Sequence, residues 1–150
     1  VATKYRVGVI ASGRIAQEHG RGWSECEQTE IVAIADVHPQ SLEVYGEAFG
    51  VEKRYLDYRE MLDEENLDIV SVCSWDPQHA EMTIAAAARR PKLILCEKPM
   101  AASVGEAEDM IVAAQRNDVK LAIGHQRRFY SCWNEARRMI AAGAIGKPRR

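Results

Sequence analysis

The chain has 150 residues, 47% of them hydrophobic and 28% charged, with a net charge of −2 at pH 7. This is a globular composition, enough for one domain or one part of a larger protein, and its near-neutral balance argues against nucleic acid as the main partner. No apolar run approaches the roughly 20 residues of a membrane span, and no basic-then-apolar leader opens the chain, so a cytoplasmic location with no membrane partner is expected.

Strand and helix signals alternate along the chain. "YRVGVI" predicts a buried strand, and "ASGRIA" after it a turn running into a helix. "IVAIAD" predicts a second strand ending at Asp36, and "SLEVYGEAF" a helix that stops at Gly50. "KRY" is a candidate short strand. Asp57 with Glu60 has capping-box spacing, as does Ser103 with Glu106, each ahead of a helical pattern. "LDIVSVCS", "KLILCE" and "VKLAIGH" complete the strands. Between them "HAEMTIAAAARR" is alanine-rich and stops before Pro91, which cannot continue a helix easily. Last comes "SCWNEARRMIAAG", with Trp133, Ala136, Met139 and Ile140 on one stripe and Gly143 at its end.

Strands alternating with helices mean right-handed βαβ crossovers, and near-continuous apolar strands mean burial on both faces. The expected fold class is α/β: an open, doubly wound, mostly parallel sheet with helices on both faces. Ligands of such sheets bind at the carboxyl ends of the strands, so the residues just after each strand are the candidates.

After the first strand, a G-x-G-x-x-G/A pattern falls on Ala11, Gly13 and Ala16, with alanine in place of the first glycine. Gly13 permits close backbone approach to a pyrophosphate at a helix N-terminus, and Ala16 allows tight helix–strand packing. Alanine serves at position 11 if its φ is negative, which is the expectation here, with the loop closing on Gly13. Asp36 lies 25 residues further on, near the separation expected of the acid that binds an adenosine ribose. Its carboxylate would accept from ribose hydroxyls and repel a 2′-phosphate. The "VHP" that follows offers no arginine to counter it, so NAD is expected over NADP. Trp75, on the loop after "LDIVSVC", either packs on a cofactor ring or fills a gap, and His79 either bonds the cofactor or satisfies nearby backbone. In "CEKPMA" a Glu-Lys pair stands at a strand end. Partial burial would lower the lysine's pKa and let it manage a substrate proton; the plainer reading is a local ion pair.

Cys26, Cys73, Cys96 and Cys132 form no C-x-x-C pair, and His19, His38, His79 and His125 are scattered. Reduced, mostly buried thiols and no metal site are expected. Near the end, Arg127, Arg128, Arg137, Arg138, Lys147, Arg149 and Arg150 are balanced only by Glu135, which reads as a solvated helix face and a frayed end.

Together "VGVIASGRIA", "ADVHP", "SVCSWDPQHAEMTIAAA", "LILCEKPMA", "GHQRRF" and "AAGAIGKP" resemble the N-terminal domain of the glucose–fructose oxidoreductase / inositol dehydrogenase / MocA family, in family order and over nearly the whole chain. The resemblance implies a Rossmann domain over 1–126, then a helix and linker over 127–150 leading to an α/β substrate domain that this chain lacks. It implies NAD as cofactor, a hydroxyl of a sugar, cyclitol or related polyol as the reacting group, and a homo-oligomer at full length. The chain by itself is then expected to be a monomer or weak dimer. By the same resemblance Ala11, Ser12, Gly13, Arg14 and Ile15 form the pyrophosphate loop, and Asp36 with Val37 the ribose site. Ser74, Trp75 and His79 would line the inner half of the cofactor. Glu97 and Lys98 would stand by the nicotinamide, with Lys98 also reaching the substrate as the catalytic residue. The family's catalytic histidine would fall beyond residue 150. Trp75 and "RRPKL" depart from the family's usual residues, as does Ala11. A non-catalytic NAD-binding sensor and an NAD-dependent glycosidase of the same family are the alternatives.

Overall fold

The computed structural model describes residues 4–147. Arg149 and Arg150 of the basic C-terminal segment lie outside them. Six parallel strands form one sheet: β1 (Tyr5–Ile10), β2 (Thr29–Ala35), β3 (Lys53–Tyr55), β4 (Ile69–Val72), β5 (Leu93–Cys96) and β6 (Lys120–Ile123). Their order is β3-β2-β1-β4-β5-β6, so the chain leaves β3 at one edge and returns beside β1 to build the other half. That reversal puts the switch point, and with it the ligand crevice, between the carboxyl ends of β1 and β4.

Period-two alternation splits the strand residues between two cores. Val7, Val9, Ile31 and Ile69 pack on one face under α1 (Arg14–Glu25) and α2 (Pro39–Phe49). Ile10, Val70, Val72, Ile94 and Cys96 pack on the other, under α3 (Tyr58–Glu64), α4 (His79–Ala87) and α5 (Val104–Arg116). Helix α1 faces the sheet with Ala16, His19, Gly20 and Trp23, the i, i+3, i+4, i+7 stripe of an amphipathic helix.

Most helix signals fall where the sequence puts them. Gly50 ends α2 at φ 67°, and Ser103 and Glu106 close a full capping box on α5. Asp57 caps α3 through the Arg59 N–H instead of that of Glu60. Two of the four cysteines, Cys26 and Cys132, are exposed, so the expectation of mostly buried thiols holds only for Cys73 and Cys96. Helix α6 (Ser131–Ala141) follows β6 and contacts chiefly the short 3₁₀ turn at Gln126–Phe129. Its stripe is uncovered: Trp133, Met139 and Ile140 are all exposed. No helix among the described residues is long and apolar enough to cross a membrane.

Candidate cofactor site

A cleft of about 520 Å³ opens at the switch point. It brings together Ala11, Gly13, Asp36, Val37, Ser74 and Trp75, residues drawn from the ends of three strands. Its floor is apolar, with Ala35, Ile10 and Cys73 side by side across the ends of β2, β1 and β4. Burial pushes the Cys73 thiol up to about 12, so at neutral pH it is a packing group and not a nucleophile.

Gly13 is the informative residue of the loop. Its φ of −68° and ψ of −172° are open to any amino acid, and a Cβ there would meet no atom of the chain within 4 Å. Gly22 and Gly105 leave the same open space, so what distinguishes Gly13 is its place, at the crevice and at the N-terminus of α1. Gly13 caps α1 with no side-chain cap, and the first turn of α1 carries no acidic residue, which leaves donors and the positive helix end for an anion. Arg14 is exposed beside it, whereas Ile15 turns back into the core.

Ala11 corrects an expectation. Its φ is +70°, in the left-handed region. The chain must turn sharply between the end of β1, where Ala11 N–H bonds the Ala35 carbonyl, and the start of α1. The turn imposes the angle that glycine would adopt without strain, and alanine bears it.

Asp36 sits where its spacing predicts, at the end of β2, but it is already engaged. Its Oδ2 accepts from the Ser12 N–H and the Ser12 hydroxyl, both at 2.7 Å, and its Oδ1 accepts from the His38 N–H at 2.9 Å. A carboxylate offers about four acceptor positions. The Ser12 hydroxyl can rotate away, so a ribose diol can take its place while the Ser12 N–H keeps the loop fixed.

Sequence reasoning missed the outer wall. Leu56, Tyr58 and Arg59, from the turn after β3 and the start of α3, line the same cleft, with Glu81 and Met82 of α4. The arginine absent after β2 therefore comes from elsewhere in the chain. Arg59 lies 4.5 Å above the Tyr58 ring and is paired with Glu81 and, at 3.5 Å, with Asp57, so its charge is offset on the spot. Burial first, then the hydrogen bond to Glu81, pushes the Tyr58 phenol up to about 12. Once the sheet order places β3 beside β2, the proximity of these residues follows. The sequence alone does not give that order.

The remaining predicted residues lie across the switch point and behave differently. His79 is buried, and both ring nitrogens face backbone carbonyls, Nδ1 toward Pro99 at 2.7 Å and Nε2 toward Ser74 at 2.9 Å. It ties the loop after β4 to the loop after β5. Glu97 is also buried, and its Oε1 meets His19 Nε2 at 3.0 Å. Its Oε2 accepts the Lys98 backbone N–H at 3.1 Å, so the Glu-Lys pair is joined through the backbone and not charge to charge. Lys98 is exposed, contrary to the expected partial burial. Glu97 points under α1, where His19 bonds it, whereas Lys98 lies in the loop past the end of β5. Lys98 lines a shallow recess of about 550 Å³ with Gly124, His125, Gln126, Arg127, Arg128 and Tyr130. No group of three or more metal-ligating side chains occurs among the described residues.

The sequence matches the family model described as the oxidoreductase family, NAD-binding Rossmann fold, over residues 5–125. It is 36% identical over 143 residues to myo-inositol 2-dehydrogenase of Thermotoga maritima, covering 95% of this chain and 42% of that protein. It is 30% identical over 145 residues to D-apiose dehydrogenase of Paraburkholderia graminis, covering 97% and 38%. Its structure superposes with a TM-score of 0.89 on an oxidoreductase from Agrobacterium radiobacter in complex with NAD+, L-tartaric acid and magnesium, at 27% identity, covering 97% of this chain and 42% of that one. The chain thus spans about 40% of the length of these relatives. The sheet order, the small residues at the start of α1, the acid at the end of β2 and the family match agree: this chain belongs to the NAD-binding Rossmann-fold oxidoreductases.

Proposed function

We propose that this chain is the cofactor-binding part of an NAD-dependent dehydrogenase acting on a hydroxyl of a sugar, cyclitol or related polyol. The observation that carries the reading is Gly13, whose missing side chain leaves open the space beside an uncapped helix N-terminus. In this reading Gly13, Ser12 and Arg14 hold the pyrophosphate and Asp36 takes the ribose. Val37, Trp75 and Leu56, all exposed apolar side chains on the cleft rim, give adenine a surface. NAD, when bound, supplies the hydride acceptor. Lys98, exposed beyond β5, is placed to hold a substrate hydroxyl and its proton.

The polyol specificity rests on relatives named as inositol and apiose dehydrogenases. Residues 1–126 form the cofactor domain in this proposal. Residues 127–150, with α6 standing off the sheet, lead toward a substrate domain supplied by further sequence. In this reading the substrate domain supplies the walls that orient a polyol and exclude water. Losing proton transfer alone costs about 10²–10⁴ in rate, and losing orientation more. The 150-residue chain is expected to bind NAD and to release no NADH from polyols.

Calorimetric titration with NAD and NADP, and an NADH assay across sugars and cyclitols, test this on one preparation. Asp36 should favour NAD by about tenfold to a hundredfold. Tighter binding of NADP would overturn the ribose assignment. Turnover lost in Lys98→Ala would show that this chain carries a complete active site.

A further inference from the structure

Beneath the β4–β6 side of the crevice runs a line of polar side chains for which the cofactor reading has no use. Trp23 Nε1 lies 3.3 Å from Ser71 Oγ, Ser71 Oγ 2.7 Å from His19 Nδ1, and His19 Nε2 3.0 Å from Glu97 Oε1. Glu97 Oε2 then accepts the Lys98 N–H. Ser71 is fully buried, and the His19 and Glu97 side chains are 9% and 4% exposed. Alternation along β4 and β5 points Ser71 and Glu97 to the face covered by α1, and the α1 stripe supplies His19 and Trp23. The end of β6 closes on the same carboxylate: a Cβ on Gly124 would lie 2.6 Å from Glu97 Oε1.

With His19 neutral, one order of donors satisfies this line. Both Glu97 oxygens face N–H groups, so as a carboxylate it accepts from His19 Nε2–H and from the Lys98 N–H. His19 Nδ1 is then bare and accepts the Ser71 hydroxyl proton, and Ser71 Oγ accepts the Trp23 N–H. Burying a carboxylate is costly unless it is bonded in this way, so the line holds its members in fixed relative positions. It joins the two working ends of the crevice: α1 begins at Gly13, and Glu97 is the residue before Lys98.

We propose that His19 is a positioning residue that, through Glu97, sets the Lys98 turn in register with the α1 N-terminus, so that a dinucleotide held at Gly13 meets the nicotinamide side of the crevice in the right place. This rests on the cofactor reading above. It predicts that His19 matters to the nicotinamide half of the ligand and not to the adenosine half.

The test titrates NAD and ADP-ribose, which lacks nicotinamide, into the 150-residue chain and into His19→Leu, His19→Gln and Glu97→Gln. Wild type should bind NAD more tightly than ADP-ribose. In His19→Leu the ADP-ribose affinity should stay within about twofold, which also reports that the variant is folded, while the NAD advantage falls by about fivefold or more. His19→Gln, whose amide N–H can still reach Glu97, should recover most of that advantage. In Glu97→Gln one amide group must face two donors, and the advantage should fall as in His19→Leu. Nitrogen-15 NMR of the wild type should show His19 as the Nε2–H tautomer, a reading that needs no variant to fold. An unchanged NAD advantage in both His19→Leu and Glu97→Gln, an equal loss for both ligands, no NAD advantage in the wild type, or an Nδ1–H tautomer would each overturn the proposal. Wild type that bound neither ligand would overturn the cofactor reading and this one together.

Discussion

On the β1–β3 side of the crevice Gly13 and Val37 line open space and Asp36 lines it while also holding Ser12 and the His38 N–H, whereas on the β4–β6 side His19, His79 and Glu97 bond only to the protein itself. The same kind of residue, an acid just after a strand, lines the open cleft in one half and is buried among internal partners in the other. Position after a strand therefore marks a residue as near the crevice, and only its hydrogen-bond partners say which task it has. Removing a residue should cost affinity on the first side and stability on the second.

The largest effect is expected at His79. His79→Leu removes the one N–H that a neutral imidazole can donate to the Ser74 or Pro99 carbonyl, at about 1–3 kcal/mol if that carbonyl stays dry. Thermal unfolding should shift down by several degrees, while ADP-ribose binding to the folded protein stays close to wild type. A variant that melted normally but lost cofactor would move His79 into the ligand-binding class.

Asp36→Ala should show the opposite signature. It removes the acceptor for ribose and the anchor of the Ser12 N–H, and a charged hydrogen bond is worth about 1.5–3 kcal/mol. NAD affinity should fall roughly tenfold to a hundredfold, with a smaller change in melting temperature. Ser12→Ala frees Asp36 Oδ2 of one internal donor and should change NAD affinity far less. Equal losses in the two variants would mean that Asp36 acts mainly by holding the loop.

The strands and the open half were legible in the sequence for a physical reason. Strands buried on both faces must be apolar throughout, so β1 and β2 announce themselves locally, and Gly13 and Asp36 are placed at the crevice by following them. What was not legible depends on contacts between distant segments. Arg59 reaches the Asp36 side because β3 lies beside β2. The inward turn of Glu97 depends on α1 offering His19, 78 positions away in the chain. Lys98 reads as half-buried from its place after a buried strand, and the loop past β5 leaves it exposed. The uncovered stripe of α6 has the spacing of a packed one, since periodicity records a face and not what covers it.

A third pair of side chains, outside the crevice, sets a baseline for purely internal charges. Near the amino ends of the strands the buried Glu65 accepts from Arg6, Lys53 and Tyr55, and Asp68 accepts from the Arg6 N–H and Lys92. Burial alone would raise the pKa of Glu65, but Lys53, Tyr55 and Arg6 together hold it below its ordinary 4.5. The Arg6 N–H, then Lys92, lowers that of Asp68 below 3.8. A pKa lower in the folded chain than in the unfolded one gives stability that is complete above 4.5 and drains away as pH falls through the folded values. Urea unfolding followed through the carboxylate range should show this loss. It should be shallower in Lys53→Met, where Glu65 returns toward its ordinary value. An unchanged pH dependence in that variant would remove Lys53 from the account.

The smallest effect should come from Ala11→Gly, which tests whether the open half is already built in the free chain. At φ +70° alanine carries left-handed strain of about 1–2 kcal/mol, which glycine would relieve. Glycine also gives the unfolded chain more freedom, costing about 0.4–1 kcal/mol. The net gain is about 0–1.6 kcal/mol in stability, a few degrees of melting temperature at most. Affinity is a separate matter. If the loop already has its binding conformation, the strain is present in free and bound states alike and cancels from the binding equilibrium. NAD affinity should then stay within about twofold of wild type while the melting temperature rises slightly. An affinity gain of about tenfold would mean instead that the loop must change shape to bind and that Ala11 resists the change. The adenosine side would then need ordering by its ligand, and the contrast between an open half ready to bind and an internally bonded half would fail at the residue where the phosphate loop begins.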